Sequence, residues 1–106
     1  MKTLNEIKVI LESTHLPVAY HHFAEGESPG PPFIVFLSPG SHNFSADGIV
    51  YQKIDRLDVE LYTDQKNPAA EQTLESVLDS AGLFYDKEET YIDSEKLYEV
   101  LYETEV

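Results

Sequence analysis

Five consecutive apolar residues, Phe33-Ile34-Val35-Phe36-Leu37, stand in a chain that is otherwise strongly acidic, and they limit what it can fold into. A strand with one face in water alternates apolar and polar residues. An unbroken run implies a strand covered on both faces, by a helix layer on one side and by another layer or another subunit on the other. Such cover requires a core, and 106 residues at 42% hydrophobic supply one core and one small domain, residues 1–106. With no cysteine, disulfides, thiolate zinc sites and cysteine nucleophiles are excluded, which leaves burial, hydrogen bonds and subunit association to stabilise the fold.

The flanking segments read as alternating helix and strand signals. Thr3 can cap a first helix with Glu6 three residues on, and Leu4, Ile7, Ile10 and Leu11 form its apolar stripe until Pro17 disfavours helical geometry at Leu16. Val18 to Phe23 is β-branched or aromatic and predicts a strand, with His21 and His22 on opposite faces. From Ile49 to Tyr62 the alternation runs in two phases: Leu57, Val59 and Leu61 share one parity and Ile54 the other, so a bulge or break between Ile54 and Leu57 is expected. Asn67-Pro68 opens a second helix, with Ala70, Leu74, Val77, Leu78 and Ala81 at helical spacing and Gly82 as its stop. Phe84–Ile92 and Lys96–Glu105 read as two last strands, a short helix over 94–102 being the competing reading of the second. The order α-β-β-β-α-β-β predicts an α+β domain: an antiparallel or mixed sheet of about four to five strands with two helices on one face.

Charge narrows the function. Twenty acidic residues against seven basic ones give a formal net charge of −13, which opposes attraction to nucleic acid and to anionic membranes. No apolar run is long enough to cross a bilayer, and acidic residues sit where a secretory segment would be apolar, so synthesis and folding in the cytoplasm are expected.

Residues that could carry chemistry do not fall into a catalytic pattern. The four histidines lack metal-ligand spacing: His21 and His22 diverge in a strand, His15 lies by a proline, and His42 sits in a loop. Glu88, Glu89, Asp93 and Glu95 read as solvation of a hairpin, and no calcium-loop pattern of alternating oxygen ligands is present. Ser38-Pro39-Gly40-Ser41 shares only small residues with a phosphate loop and has no following Lys-Ser/Thr at a helix start. No nucleophile elbow occurs. The expectation is a protein that is not an enzyme and holds no cofactor or metal.

Contact is the remaining chemistry. The stretch from Ser38 to Gly48, SPGSHNFSADG, reads as a long loop between two strands, with Phe44 at its centre and Asp47-Gly48 as a turn signal. Ser38, Pro39, His42, Asn43, Phe44 and Asp47 are its candidate interface residues, and Phe44 is equally suited to its own domain or to a neighbour. Tyr51, Tyr62, Tyr98 and Tyr102 suit the edge of the core.

The texture of FIVFLSPGSHNFSADGIVYQKIDRLDVELYTDQKNPAAEQTLESVLD, followed by YIDSEKLYEVLYETEV, resembles the tail-terminator or tail-completion proteins of long-tailed bacteriophages and prophages. The likeness spans nearly the whole chain after Leu16, and it lies in an apolar strand, a segment ending in ADG, a strand ending in ELYT, a helix opened by NPAAE and a tyrosine-rich last strand. It implies a small α+β domain that assembles into a ring, typically a hexamer, at the head-proximal end of the tail, where it ends tube polymerisation and joins the head. The partners implied are copies of itself, the tail-tube protein and head–tail connector proteins, with the virion as destination. By analogy, ring contacts would involve sheet edges and the 38–48 loop. A stopper or adaptor of the same connector is one alternative. A small acidic module that occupies a basic partner's site by charge mimicry is another.

Overall fold

A computed structural model describes residues 2–24, 26–41, 43–46 and 48–106, with backbone alone for 44–46 and 49–52. Its elements are α1 (Leu4–Glu12), β1 (Val18–Tyr20), β2 (Phe33–Leu37), β3 (Phe44–Ala46), β4 (Ile49–Gln52), β5 (Arg56–Thr63), α2 (Pro68–Ser80), β6 (Asp86–Ile92) and β7 (Leu97–Glu105). Five strands form one mixed sheet in the order β1-β2-β5-β7-β6, parallel between β1 and β2 and antiparallel elsewhere, and β3 and β4 form a second, two-stranded sheet. Taken over the main sheet, the order is the expected α-β-β-β-α-β-β.

Both helices begin as their sequences dictate. The Thr3 hydroxyl accepts from the Glu6 amide at 3.1 Å while Glu6 Oε1 accepts from the Thr3 amide at 3.2 Å, which completes a capping box. Asn67 Oδ1 accepts from the Ala70 amide at 3.1 Å, Pro68 stands in the first turn of α2, and Gly82, at φ +73°, takes the left-handed conformation that ends it.

The helices cover one face of the sheet. Val59 and Leu61 of β5 stand in register with Phe36 and Ile34 of β2 and with Tyr102 and Val100 of β7, and together with Leu57, Ile7, Leu11, Leu74 and Leu78 they make the core. Ile34 and Phe36 point into it, whereas Val35, on the other face, is also buried at 5% exposure. Part of its surroundings is the chain's own 21–32 segment, for Phe23 packs edge-on against Phe33 at 5.4 Å between ring centres. The doubly covered strand inferred from FIVFL therefore needs no second subunit to be buried.

Several expectations change. The strand at Val18 stops at Tyr20, since His21 adopts φ +67° and turns the chain. The ring nitrogens of His21 and His22 then lie 3.0 Å apart instead of on opposite faces. The Leu97–Glu105 segment is a strand paired on both sides, and the 94–102 helix does not form. The predicted strand at Phe84 begins two residues later, at Asp86, which leaves Phe84 outside the ladder. No helix among the described residues is long and apolar enough to cross a membrane.

Candidate functional site

The described residues 38–41 and 43–46 do not form a loop but lie along one side of a ribbon that continues the β2–β5 pairing beyond the main sheet. The pairing of Leu37 with Asp58 passes to the Ser38 hydroxyl donating to the Arg56 carbonyl at 2.7 Å, then to the Arg56 amide donating to the Gly40 carbonyl at 2.9 Å. A bridge between Ser41 and Asp55 follows, and Asn43 Oδ1 accepts from the Ile54 amide at 3.1 Å. Beyond it, β3 and β4 pair from Phe44–Gln52 to Ala46–Ile49, with a register shift between Phe44 and Ser45. Gly48, at φ +75°, supplies the left-handed residue of the turn between them.

This geometry explains the two-phase alternation: the break falls between Gln52 and Arg56, where the ribbon passes from one sheet to the other. Among the six candidate interface residues, Ser38 and Asn43 use their side chains to hold the ribbon together, Pro39 is exposed on it, and Phe44 lies in its first distal strand. His42 and Asp47 lie outside the described residues, as does the orientation of the Phe44 side chain. The molecule is accordingly elongated, with extents of 48 × 28 × 24 Å.

The second surface is the face of the main sheet away from the helices. In a strand, alternate residues share a face, and the registers align Asp86, Glu103 and Asp58 across β6, β7 and β5. The next rows carry Glu88 with Leu101, Glu60 and Val35, then Thr90 with Glu99, Tyr62 and Phe33. On this face the Tyr62 hydroxyl lies 2.7 Å from Glu99 Oε2 and 3.0 Å from Glu60 Oε1. A phenol has one proton to donate, so the two carboxylates compete for it. Burial raises the Glu60 carboxyl above its ordinary value; the Tyr62 hydrogen bond opposes this, and the charges of Glu99 and Asp58 add to it. Tyr62 is itself raised by burial and by its bond to Glu99, and its ring stacks on Phe33 at 5.1 Å.

At one end of this face a cleft of about 550 Å³ is lined by Arg56, Asp58, Phe84, Asp86, Glu103 and Glu105 among others. Thr104 Oγ1 donates to the Phe84 carbonyl at 2.5 Å and fixes the backbone there, yet Phe84 is 86% exposed. A separate apolar groove of about 470 Å³ runs between α1 and α2, past Val9, Ile10, Val77 and Ala81, and Val9 is 67% exposed.

The helix-facing side holds a polar cluster that sequence reasoning missed. Glu71, at 4% exposure, receives Lys66 at 2.8 Å and Lys87 at 2.7 Å; Lys87 also bonds Glu75 at 2.8 Å, and Tyr102 donates to the same Glu75 oxygen at 2.8 Å. Lys66 further pairs with Glu89. Burial works to raise the Glu71 carboxyl, but the two ammonium groups outweigh it and hold the carboxyl below its ordinary value. Burial raises Tyr102, as does its bond to Glu75. Each partner is satisfied within the fold, so the cluster orders α2 on β6 and β7. The available signal was a glutamate beside Ala70, on the apolar side of α2. Among the described residues no group of three or more His, Asp or Glu side chains is placed to hold a metal ion.

No protein-family model matches the sequence, and no curated protein is found to be similar to it.

Proposed function

We propose that this chain is a structural protein of a phage or prophage virion. It closes a ring, a hexamer by family analogy, at the head-proximal end of the tail, stops growth of the tail tube and offers a surface for joining the head. It is made in the host cytoplasm, ends in the virion, and works by surface complementarity without bond chemistry. Its partners are its own copies, the tube protein and the head–tail connector proteins, and its net charge of −13 opposes direct binding of nucleic acid.

The observation that carries this reading is the ribbon. A two-stranded hairpin is marginal in water by itself. Here one of three and four residues, with Phe44, Ile49, Val50 and Tyr51 in its sequence, continues beyond the body in a sheet of its own. A neighbouring subunit would give such a ribbon a partner. The seven-residue strand β6 and the short strand β1 stand at the edges of the main sheet, where backbone groups are open to pairing. The same features also suit a stopper or adaptor of the connector, which would meet the portal side.

A second reading, a small acidic module that mimics charge at a basic partner's site, is favoured by the carboxylate rows across β6, β7 and β5. The two readings separate by mass in solution, measured with and without purified tail-tube protein. A closed ring, formed alone or on the tube protein, together with arrest of tube growth, supports the terminator. A chain that stays monomeric and leaves tube growth unaffected overturns it.

A further inference from the structure

We propose that the outer face of the main sheet, from the Phe84 rim to the stacked Phe33–Tyr62 pair, is a docking surface for a lysine- or arginine-rich segment of another protein. The face combines two properties. Asp86, Glu103 and Asp58 stand side by side on adjacent strands, at the spacing of about 5 Å where like charges repel. Glu88, Glu60 and Glu99 extend the charge into the next rows, and Arg56 is the single cation among the described strand residues of this face. Between the carboxylates stand the half-buried Leu37 and Leu101, and beside them Phe84 holds its ring in solvent.

Charge identifies the occupant. Partly buried carboxylates that share a single phenol proton, as Glu60 and Glu99 share that of Tyr62, are best relieved by added cations. A second copy of this chain is a poor source of them: each copy carries a net −13, and of its seven cations Lys66 and Lys87 are held by Glu71 and Lys96 by Asp93. Nucleic acid is repelled. The size of the face points to a segment: with Val35 of β2 already buried by the chain itself, the open strands β5, β7 and β6 span about 10 Å, and six residues along them about 20 Å. That offers on the order of 200 Å², against about 800 Å² per partner in a standard interface. Such a segment would set its cations in the carboxylate rows and an apolar or aromatic side chain against Phe84. Docking here does not depend on ring closure, and either can fail without the other.

The test titrates the full chain with a peptide of alternating lysine and leucine at about 150 mM salt, where long-range attraction is screened. Binding is compared among wild type, Asp58→Asn/Asp86→Asn/Glu103→Gln, Phe84→Ala, and a control that removes equal charge elsewhere, Glu12→Gln/Asp64→Asn/Asp79→Asn. The expected result is binding weakened about tenfold or more by the face variant, about threefold or more by Phe84→Ala, and less than about twofold by the control. Equal loss in the face and control variants, or no binding by wild type, overturns the proposal. So does a change of oligomeric mass in the face variant with peptide binding intact, which would assign the face to copy–copy contact. Should the triple variant fail to fold, Phe84→Ala decides by itself, because Phe84 is exposed: peptide binding undiminished in that variant overturns the proposal.

Discussion

Glu71 on α2 and Lys87 on β6 meet at 2.7 Å beneath the helix layer, the carboxylate almost wholly buried and the ammonium half in solvent. That asymmetry decides what the pair contributes. A lysine that loses its partner can turn outward, whereas a buried glutamate that loses its lysines cannot.

Glu71→Ala should therefore destabilise the fold by about 1–3 kcal/mol at neutral pH, the range for removing a buried, charge-assisted hydrogen-bonded group. Lys66→Ala or Lys87→Ala alone should cost less, because Glu71 keeps one cation. Urea denaturation of the three variants gives the ranking, and a larger loss at Lys66 than at Glu71 would contradict the assignment. The pH dependence follows the same geometry. Glu71 is held below the carboxylate value of 4.5, so its contribution is present above that pH and is lost as pH falls through its lower folded value. The acid limb of stability should flatten in Glu71→Gln.

Glu60 has the opposite sign. Its folded value lies above 4.5, so its ionised form costs stability at neutral pH, and that cost vanishes as pH falls through the raised value. Glu60→Gln keeps an acceptor for Tyr62 and removes the charge. It should stabilise the protein at pH 7 by about 0.2–1 kcal/mol, with the gain shrinking in mildly acidic solution. Chemical denaturation at the two pH values measures it, and a gain that grows on acidification would refute the reading.

Phe44→Ala tests the ribbon. Because β3 and β4 form a sheet separate from the core, the variant should unfold within about 0.5 kcal/mol of the parent. If the ribbon is a subunit or tail-tube contact, assembly should weaken. Calorimetry and analytical ultracentrifugation separate the two effects, and loss of monomer stability with assembly unchanged would return Phe44 to its own domain.

Asn67→Ala removes the side-chain acceptor for the Ala70 amide and should cost about 1 kcal/mol. Thermal unfolding detects this as a fall of about 4–8 °C in Tm for a domain near this size. Asn67→Asp, which preserves the acceptor, should restore most of it.

Both helices, their caps and the parity of β5 could be read from the chain, because each depends on residues within a turn or two of one another. Thr3 and Glu6 are three apart, as are Asn67 and Ala70. The alternation of Leu57, Val59 and Leu61 requires only the period of a strand. The candidate surfaces were legible in part. The composition of the Ser38–Gly48 stretch suits a contact, but the ribbon made by its described residues depends on backbone partners at Asp55 and Arg56, up to eighteen positions away. Nothing local in SPGSHNFSADG announces that pairing.

What the sequence determined by itself was the class of the fold, the positions of its helices and the identity of its core strands, since hydrophobic period and capping chemistry act over short distances. Tertiary structure alone decided that His21 and His22 meet, because a positive φ at His21 ended the strand early. It also decided that Glu71 is buried between two lysines and that Asp86, Glu103 and Asp58 form one row. Register between strands distant in the chain sets which charges become neighbours, and that is fixed only when the whole sheet has formed.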